Sequence, residues 1–279
     1  MTQVLITGAL GMLGTALRSG VPADMSCLGF DIEDGDLTTQ AGADAVVRHA
    51  ADVVIHCAAM TDVDGCTRDP ERARLVNGTA TQNVAQACRE TGKRLLYIST
   101  DYVFPGDLGR PYVETDEPRP LSAYGESKLA GERAAAEVPD HLIVRTQWLY
   151  GPAGKNFIAT IVNAARTRPS LRVVADEWGS PTYVPDLAAG LWQLAAAPVT
   201  GIVHLTNSGV CTWHELAVEA LAVAQLETPV EAINAADWGS PTVRPRYSPL
   251  ANTRWAELGH EPLRGWREAV REYVRQHLA

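Results

Sequence analysis

The chain has 279 residues, 46% of them hydrophobic and 20% charged, which excludes a disordered or fibrous protein and suits an α/β core with a smaller appended lobe. A formal net charge of −9 excludes a basic footprint for a nucleic-acid backbone, although backbone amides can still hold a small anion. Five cysteines (Cys27, Cys57, Cys66, Cys88 and Cys211) are odd in number and widely spaced, without a Cys-x-x-Cys pair; this fits a reducing cytoplasm and neither a disulfide framework nor a metal cluster.

The N-terminus enters strand-like residues at once, with no basic segment leading into an apolar stretch, and no later run approaches the roughly 18 apolar residues of a membrane span. We therefore expect neither export nor insertion. Short apolar runs, "VLITG", "SCLGFD", "DVVIHCAA", "RLLYIST" and "HLIVRT", alternate with stretches of helical spacing over residues 14–20, 38–49, 69–91, 122–138 and 156–168. That alternation predicts βαβ units and a doubly wound parallel sheet of Rossmann type. After Trp148, Gly and Pro punctuate shorter elements, and a strand "GIVHLT", a helix "TWHELAVEALAVA" and a terminal helix near "WREAVREYVRQHL" follow. The expected division is a dinucleotide-binding part over 1–150, to which the chain later returns, and a lobe formed mainly by 151–279.

Three constellations carry chemistry. In "TGALGMLGTAL", Gly8, Gly11 and Gly14 enclose Met12 and Leu13 between the first strand and a helix. Glycines there permit a tight turn and close approach of a pyrophosphate to a helix N-terminus. "LGFD" ends the second strand at Asp31, about 20 residues on, where a carboxylate accepts from the adenosine ribose hydroxyls and favours NADH over NADPH. Arg18 leaves NADPH open. "HCAA" places the small residues Ala58 and Ala59 where a dinucleotide passes close to the backbone.

In "SAYGESKLAGE", Tyr124 and Lys128 stand four apart on one helix face, so the ammonium is expected to favour the phenolate and lower the tyrosine pKa. "STDYVF" ends the fourth strand, and ligands in open α/β sheets bind beyond strand carboxyl ends. Thr100 and Tyr124 can then both bond a substrate carbonyl oxygen while a nicotinamide delivers hydride to the carbon. Structural readings stand beside each of these: a plain glycine turn, a strand-end acid, a solvated helix face, and a Ser99–Thr100 turn cap.

The blocks "ITGALGMLG", "CAAMTDVDGCTRDPERARLVN", "YISTDYVFPGD", "PYVETDEPRPLSAYGESKLAGE", "IVRTQWLYG", "EWGSPTYVPDLA", "TWHELA" and "RPRYSPLAN" resemble the dTDP-4-dehydrorhamnose reductase branch of the extended short-chain dehydrogenases. The resemblance implies NAD(P)H-dependent reduction of the C4 ketone of a 6-deoxy-4-keto hexose carried on dTDP. It implies a catalytic triad of Thr100, Tyr124 and Lys128, with Asp36 and Leu37 flanking the adenine. It also implies a sugar pocket of Asp62, Val63, Asp101, Tyr102 and Trp148, and a nucleotide grip from Gly179, Ser180, Pro181, Thr182, Arg244 and Ser248. Arg244 suits a diphosphate because guanidinium binds phosphate bidentately; a surface-loop arginine is the plain alternative.

Met60, where the family usually has an aromatic or histidine, and Trp178 depart from the pattern and leave the hexose open, including a related dTDP-keto-sugar of natural-product biosynthesis. The first helix, "GTALRSG", lacks the acid through which some members bridge a metal; no structural metal and a monomer or weak homodimer are expected. The same scaffold serves non-catalytic dinucleotide-binding regulatory subunits, but the Thr100–Tyr124–Lys128 set favours an enzyme. A dehydratase would place an Asp-Glu pair after the threonine, where this chain has Asp101 and Tyr102.

Overall fold

The computed structural model describes residues 1–278. Six strands, β1 (Thr2–Thr7), β2 (Met25–Phe30), β3 (Val53–His56), β4 (Arg94–Thr100), β5 (His141–Thr146) and β6 (Gly201–His204), form one sheet in the order β6-β5-β4-β3-β1-β2. Every pairing is parallel. Parallel strands need crossovers, and helices supply them: α1 (Met12–Ser19), α2 (Gln40–Arg48), α3 (Ala80–Thr91) and α4 (Ala123–Ala135).

The apolar runs that made these strands legible are continuous because both faces are covered. Along β1, Val4 and Ile6 join a cluster with Leu13 and Leu17 of α1. Leu5 between them points the other way, into a cluster with Val46 of α2 and Val84 of α3. The chain returns to the first face through the helix Val184–Ala196, whose Leu187 and Leu191 pack there, and then adds β6 to the sheet edge. A third cluster draws all its buried members from residues 150–274, including Ile158 and Val162 of the helix Phe157–Ala165, Leu216 of the helix Trp213–Val223 and Val270 of the helix Trp266–His277.

Most predicted helices hold to within about three residues, and their starts are capped by the side chains the sequence offers. Ser122 Oγ accepts from Gly125 N at 3.2 Å, and Asn156 Oδ1 from Ala159 N at 2.9 Å. The stretch read as one helix over 69–91 is not uniform: Pro70–Ala73 is α-helical, Arg74–Thr79 is a π-helical turn, and α3 follows. The turn aims Asn77 sideways, where its Oδ1 accepts from Met60 N at 2.7 Å and its Nδ2 donates to Met60 O at 3.0 Å and Ser127 Oγ at 2.9 Å. All five cysteines are free thiols. Among the described residues, no helix is long and apolar enough to cross a membrane.

Candidate active site

The connection from β1 leads to β2 on one side and the chain next enters the sheet as β3 on the other, so the carboxyl ends of β1 and β3 diverge into a crevice. The glycine turn fills its mouth. Gly8 has φ +67°, and a Cβ there would lie 2.7 Å from Ala58 N; a Cβ on Gly14 would lie 2.2 Å from Gly8 O. These positions tolerate only glycine, because backbone meets backbone.

Two cavities open from this turn. One of about 170 Å³ is lined by Gly8, Asp31, Asp36, Leu37 and Ala58, with no lysine or arginine among its lining residues. Asp31 takes the Leu10 N–H on Oδ2 at 2.8 Å and the Ile32 N–H on Oδ1 at 2.9 Å. Asp36 orders the next loop by accepting from Thr38 N and Oγ1. The other cavity, about 460 Å³, runs from Gly8, Gly11, Met12, Leu13 and Gly14 past Ala59 and Val63 to Thr100, Asp101, Tyr102, Tyr124, Lys128, Trp148 and Arg244. It therefore joins the glycine turn to the end of β4 and the first turns of α4.

The Thr100 hydroxyl caps a short 3-10 turn by accepting from Tyr102 N at 3.2 Å, and the residue also lines the cavity beside Tyr124. It also donates to Asp101 Oδ1 at 3.1 Å. Asp101 is 1% exposed, and burial holds its carboxyl up at about 6 against the hydrogen bonds from Ser248, Gln147 and Thr100. Tyr102 meets the Tyr124 ring edge-on with centroids 5.4 Å apart, and Met60 and Val63 pack against the pair.

The expected effect of Lys128 on Tyr124 needs correction. Lys128 Nζ donates to Ile98 O at 2.7 Å and lies 4.2 Å from the Tyr97 ring centroid. Burial raises the Tyr124 phenol above its ordinary value; the opposing influence is a hydrogen bond with Thr100, and Lys128 does not depress it. Lys128 itself is drawn down to about 7 by burial, against the pull of Glu132. Tyr124 is thus a neutral phenol at pH 7, still able to give a proton.

The residues expected to grip the nucleotide divide. Arg244 lines the cavity, donates from Nη2 to Asp64 Oδ1 at 3.1 Å, and keeps a buried Nε without a partner among the described residues. Ser248 lies one layer back, donating to Asp101 Oδ2 at 2.6 Å. Gly179, Ser180, Pro181 and Thr182 are buried behind Trp148 and outside the cavity lining. A Cβ on Gly179 would lie 2.5 Å from the Trp148 ring, and Thr182 N donates to Trp148 O at 3.2 Å. Asp62 is exposed and caps the helix Val63–Arg68, with Oδ1 accepting from Gly65 N at 3.0 Å.

Trp148 has φ +49°, a left-handed conformation that costs a bulky residue on the order of 1–3 kcal/mol. It is held by stacking on Trp213, with centroids 3.5 Å and planes 12° apart. Trp213, Phe157, Lys155 and Gln147 also line the cavity and were not singled out from sequence. Gln147 is the hub of this wall, accepting from Ser180 N at 2.7 Å and donating to Ser248 O at 2.9 Å. Its only sequence signal is a place directly beyond β5.

A family model described as "RmlD substrate binding domain" matches residues 1–278. A dTDP-4-dehydrorhamnose reductase of Streptomyces griseus is 44% identical, aligned over 96% of this chain and 91% of the relative. One from Mycobacterium tuberculosis is 41% identical over the same shares. Among solved structures, the dTDP-4-dehydrorhamnose reductase of Bacillus anthracis in complex with NADP superposes with TM-score 0.96 at 35% identity, covering 99% of this chain and 100% of that one. With the turn, the strand-end threonine and the Tyr-Lys helix in place, the chain belongs to the dTDP-4-dehydrorhamnose reductase family.

Proposed function

We propose that this protein reduces the C4 ketone of a dTDP-4-keto-6-deoxyhexose with a nicotinamide dinucleotide, converting dTDP-4-dehydro-β-L-rhamnose to dTDP-L-rhamnose. The observation that carries the reading is the single cavity joining the glycine turn to Thr100, Tyr124 and Arg244. Residues 1–150, with the later returns to the sheet, hold the dinucleotide; residues 151–279 mainly supply the wall for the nucleotide sugar.

The diphosphate fits against the Gly8–Gly14 turn, where the glycines allow close approach to the backbone and the amides of Met12, Leu13 and Gly14 precede the first helical bond of α1, from Thr15 N to Gly11 O. The adenosine end fits the smaller cavity, and the bound nicotinamide supplies a hydride. Thr100 and Tyr124 bond the sugar carbonyl oxygen, and Tyr124 gives its phenolic proton as that oxygen gains charge. Lys128 offers N–H donors to the nicotinamide ribose. Arg244 has a buried Nε–H without a partner among the described residues and lies within the cavity lining, which suits it to the dTDP diphosphate. Trp148 closes the sugar end.

The test is oxidation of NADH and NADPH by dTDP-4-dehydro-6-deoxyglucose with and without an added 3,5-epimerase. Turnover that requires the epimerase is expected. Equal turnover without it would assign an unepimerised keto-sugar, and no turnover in either mixture would reject the reading.

For the dinucleotide we propose a preference for NADH. Asp31 and Asp36 present two carboxylates to the smaller cavity, and no cation lines it to meet a 2′-phosphate. Asp31→Ser is expected to lower the NADH-to-NADPH ratio of kcat/KM by about tenfold, equivalent to about 1.4 kcal/mol. An unchanged ratio would remove Asp31 as the discriminator.

A further inference from the structure

Tyr124, Lys128 and Glu132 stand four residues apart on α4 and so form one stripe facing the sheet. Glu132 is 4% exposed. Both of its oxygens are tied to strands: Arg145 of β5 donates from Nε to Oε1 at 2.8 Å and from Nη2 to Oε2 at 2.7 Å, and Ser99 of β4 donates to Oε1 at 2.6 Å. Arg145 is itself 1% exposed, lies over the Phe104 ring at 4.9 Å, and brings Nη1 within 3.5 Å of His204 Nε2. Such a pair loses in desolvation much of what it gains in attraction, so stability alone is a poor reason for it. The place of Glu132 one turn from Lys128 on α4, tied to the strand through Ser99 beside Thr100, supplies another.

Lys128 is 3% exposed. The titratable groups around it come from four elements. At the end of β3 and directly after it, burial pushes His56 down to about 3 and Cys57 up to about 12, so both are uncharged at pH 7. On β4 and α4, burial raises the Tyr97 and Tyr124 phenols, which are likewise neutral. Asp101, on the turn after β4, is engaged by Ser248 and Thr100. Arg145 on β5 is engaged by Glu132. Glu132 is left as the carboxylate that acts on the Lys128 ammonium, opposing its burial.

We propose that Glu132 is a positioning residue that keeps Lys128 charged, with Arg145 and Ser99 locking the Glu132 carboxylate in place. The idea rests on the role given to Lys128 above, but it concerns the free protein. Ser99 thereby gains a function in the strand-end motif: it anchors the counter-charge on one side of the sheet while Thr100 faces the substrate on the other.

The chain has three lysines, Lys93, Lys128 and Lys155, so protein labelled with ¹³C at lysine Cε gives three NMR signals, assigned with Lys93→Arg and Lys155→Arg. The Lys128 signal is followed against pH in the wild type and in Glu132→Gln. The expected result is a midpoint lower by about one pH unit or more in the variant, and a midpoint near that of the wild type in Glu132→Asp. An unchanged midpoint in folded Glu132→Gln overturns the proposal. Should the uncompensated Arg145 prevent folding, Glu132→Gln/Arg145→Gln replaces the pair by two neutral amides; a lowered midpoint is again expected, and an unchanged or raised one overturns the proposal. Because no sugar or dinucleotide is present, failure here is distinct from failure of the reductase reading, which shows as absent sugar turnover.

Discussion

Tyr124→Phe lowers kcat by roughly 10²- to 10⁴-fold, the usual contribution of a positioned proton donor, while the affinity for the dinucleotide changes little. The hydroxyl is the only group removed. The ring remains against Tyr102, Met60 and Val63, so the pocket keeps its shape and the loss reports proton transfer. The structure also sets the direction of the pH dependence. Burial holds Tyr124 protonated past neutrality, whereas Lys128 titrates at about 7. The charged form of Lys128 is present below that value and is lost as pH rises through it, so activity declines on the alkaline side well before the phenol ionises. Stopped-flow single turnovers of wild type and variant between pH 6 and 9 test both points. Near-normal turnover of Tyr124→Phe would place the proton donor elsewhere.

The second large effect is on stability. Arg145→Met leaves the Glu132 carboxylate buried with Ser99 as its remaining donor. Breaking a buried pair from one side costs about 3–5 kcal/mol, a large part of the 5–15 kcal/mol that holds an ordinary domain together. Urea unfolding at pH 7.5 should show a lower midpoint at an unchanged slope. A loss below about 1 kcal/mol would mean that Glu132 finds water or another partner when Arg145 is gone.

The sheet was readable because its strands are short, apolar on both faces and bounded by helical spacing, and each chemical motif sits at a strand or helix end that the pattern itself locates. Gly8, Thr100 and Tyr124 meet at one cavity for that reason. Other features depend on tertiary burial, which spacing does not record. Tyr124 and Lys128 share a helix face, yet the ammonium turns to Ile98 O and the Tyr97 ring, and desolvation outweighs charge at the phenol. "GSPT" is a distinctive string, but its distinction serves the underside of Trp148. Gln147 joins residues 180 and 248 across the chain, a relation no local pattern contains. The π-helical turn at Arg74–Thr79 was equally hidden, since the apolar spacing of 69–91 fits an uninterrupted helix.

Deuterium transfer tests the central claim most directly. With NADH carrying deuterium at nicotinamide C4 on the transferred face, and the epimerised dTDP-4-keto-sugar as acceptor, the product analysed by NMR should carry one deuterium, bonded to sugar C4. The opposite face of the nicotinamide, labelled in a second run, should leave the sugar unlabelled. Sugar free of deuterium in both runs, with dinucleotide bound to the protein, would contradict hydride delivery across the Thr100–Tyr124 site.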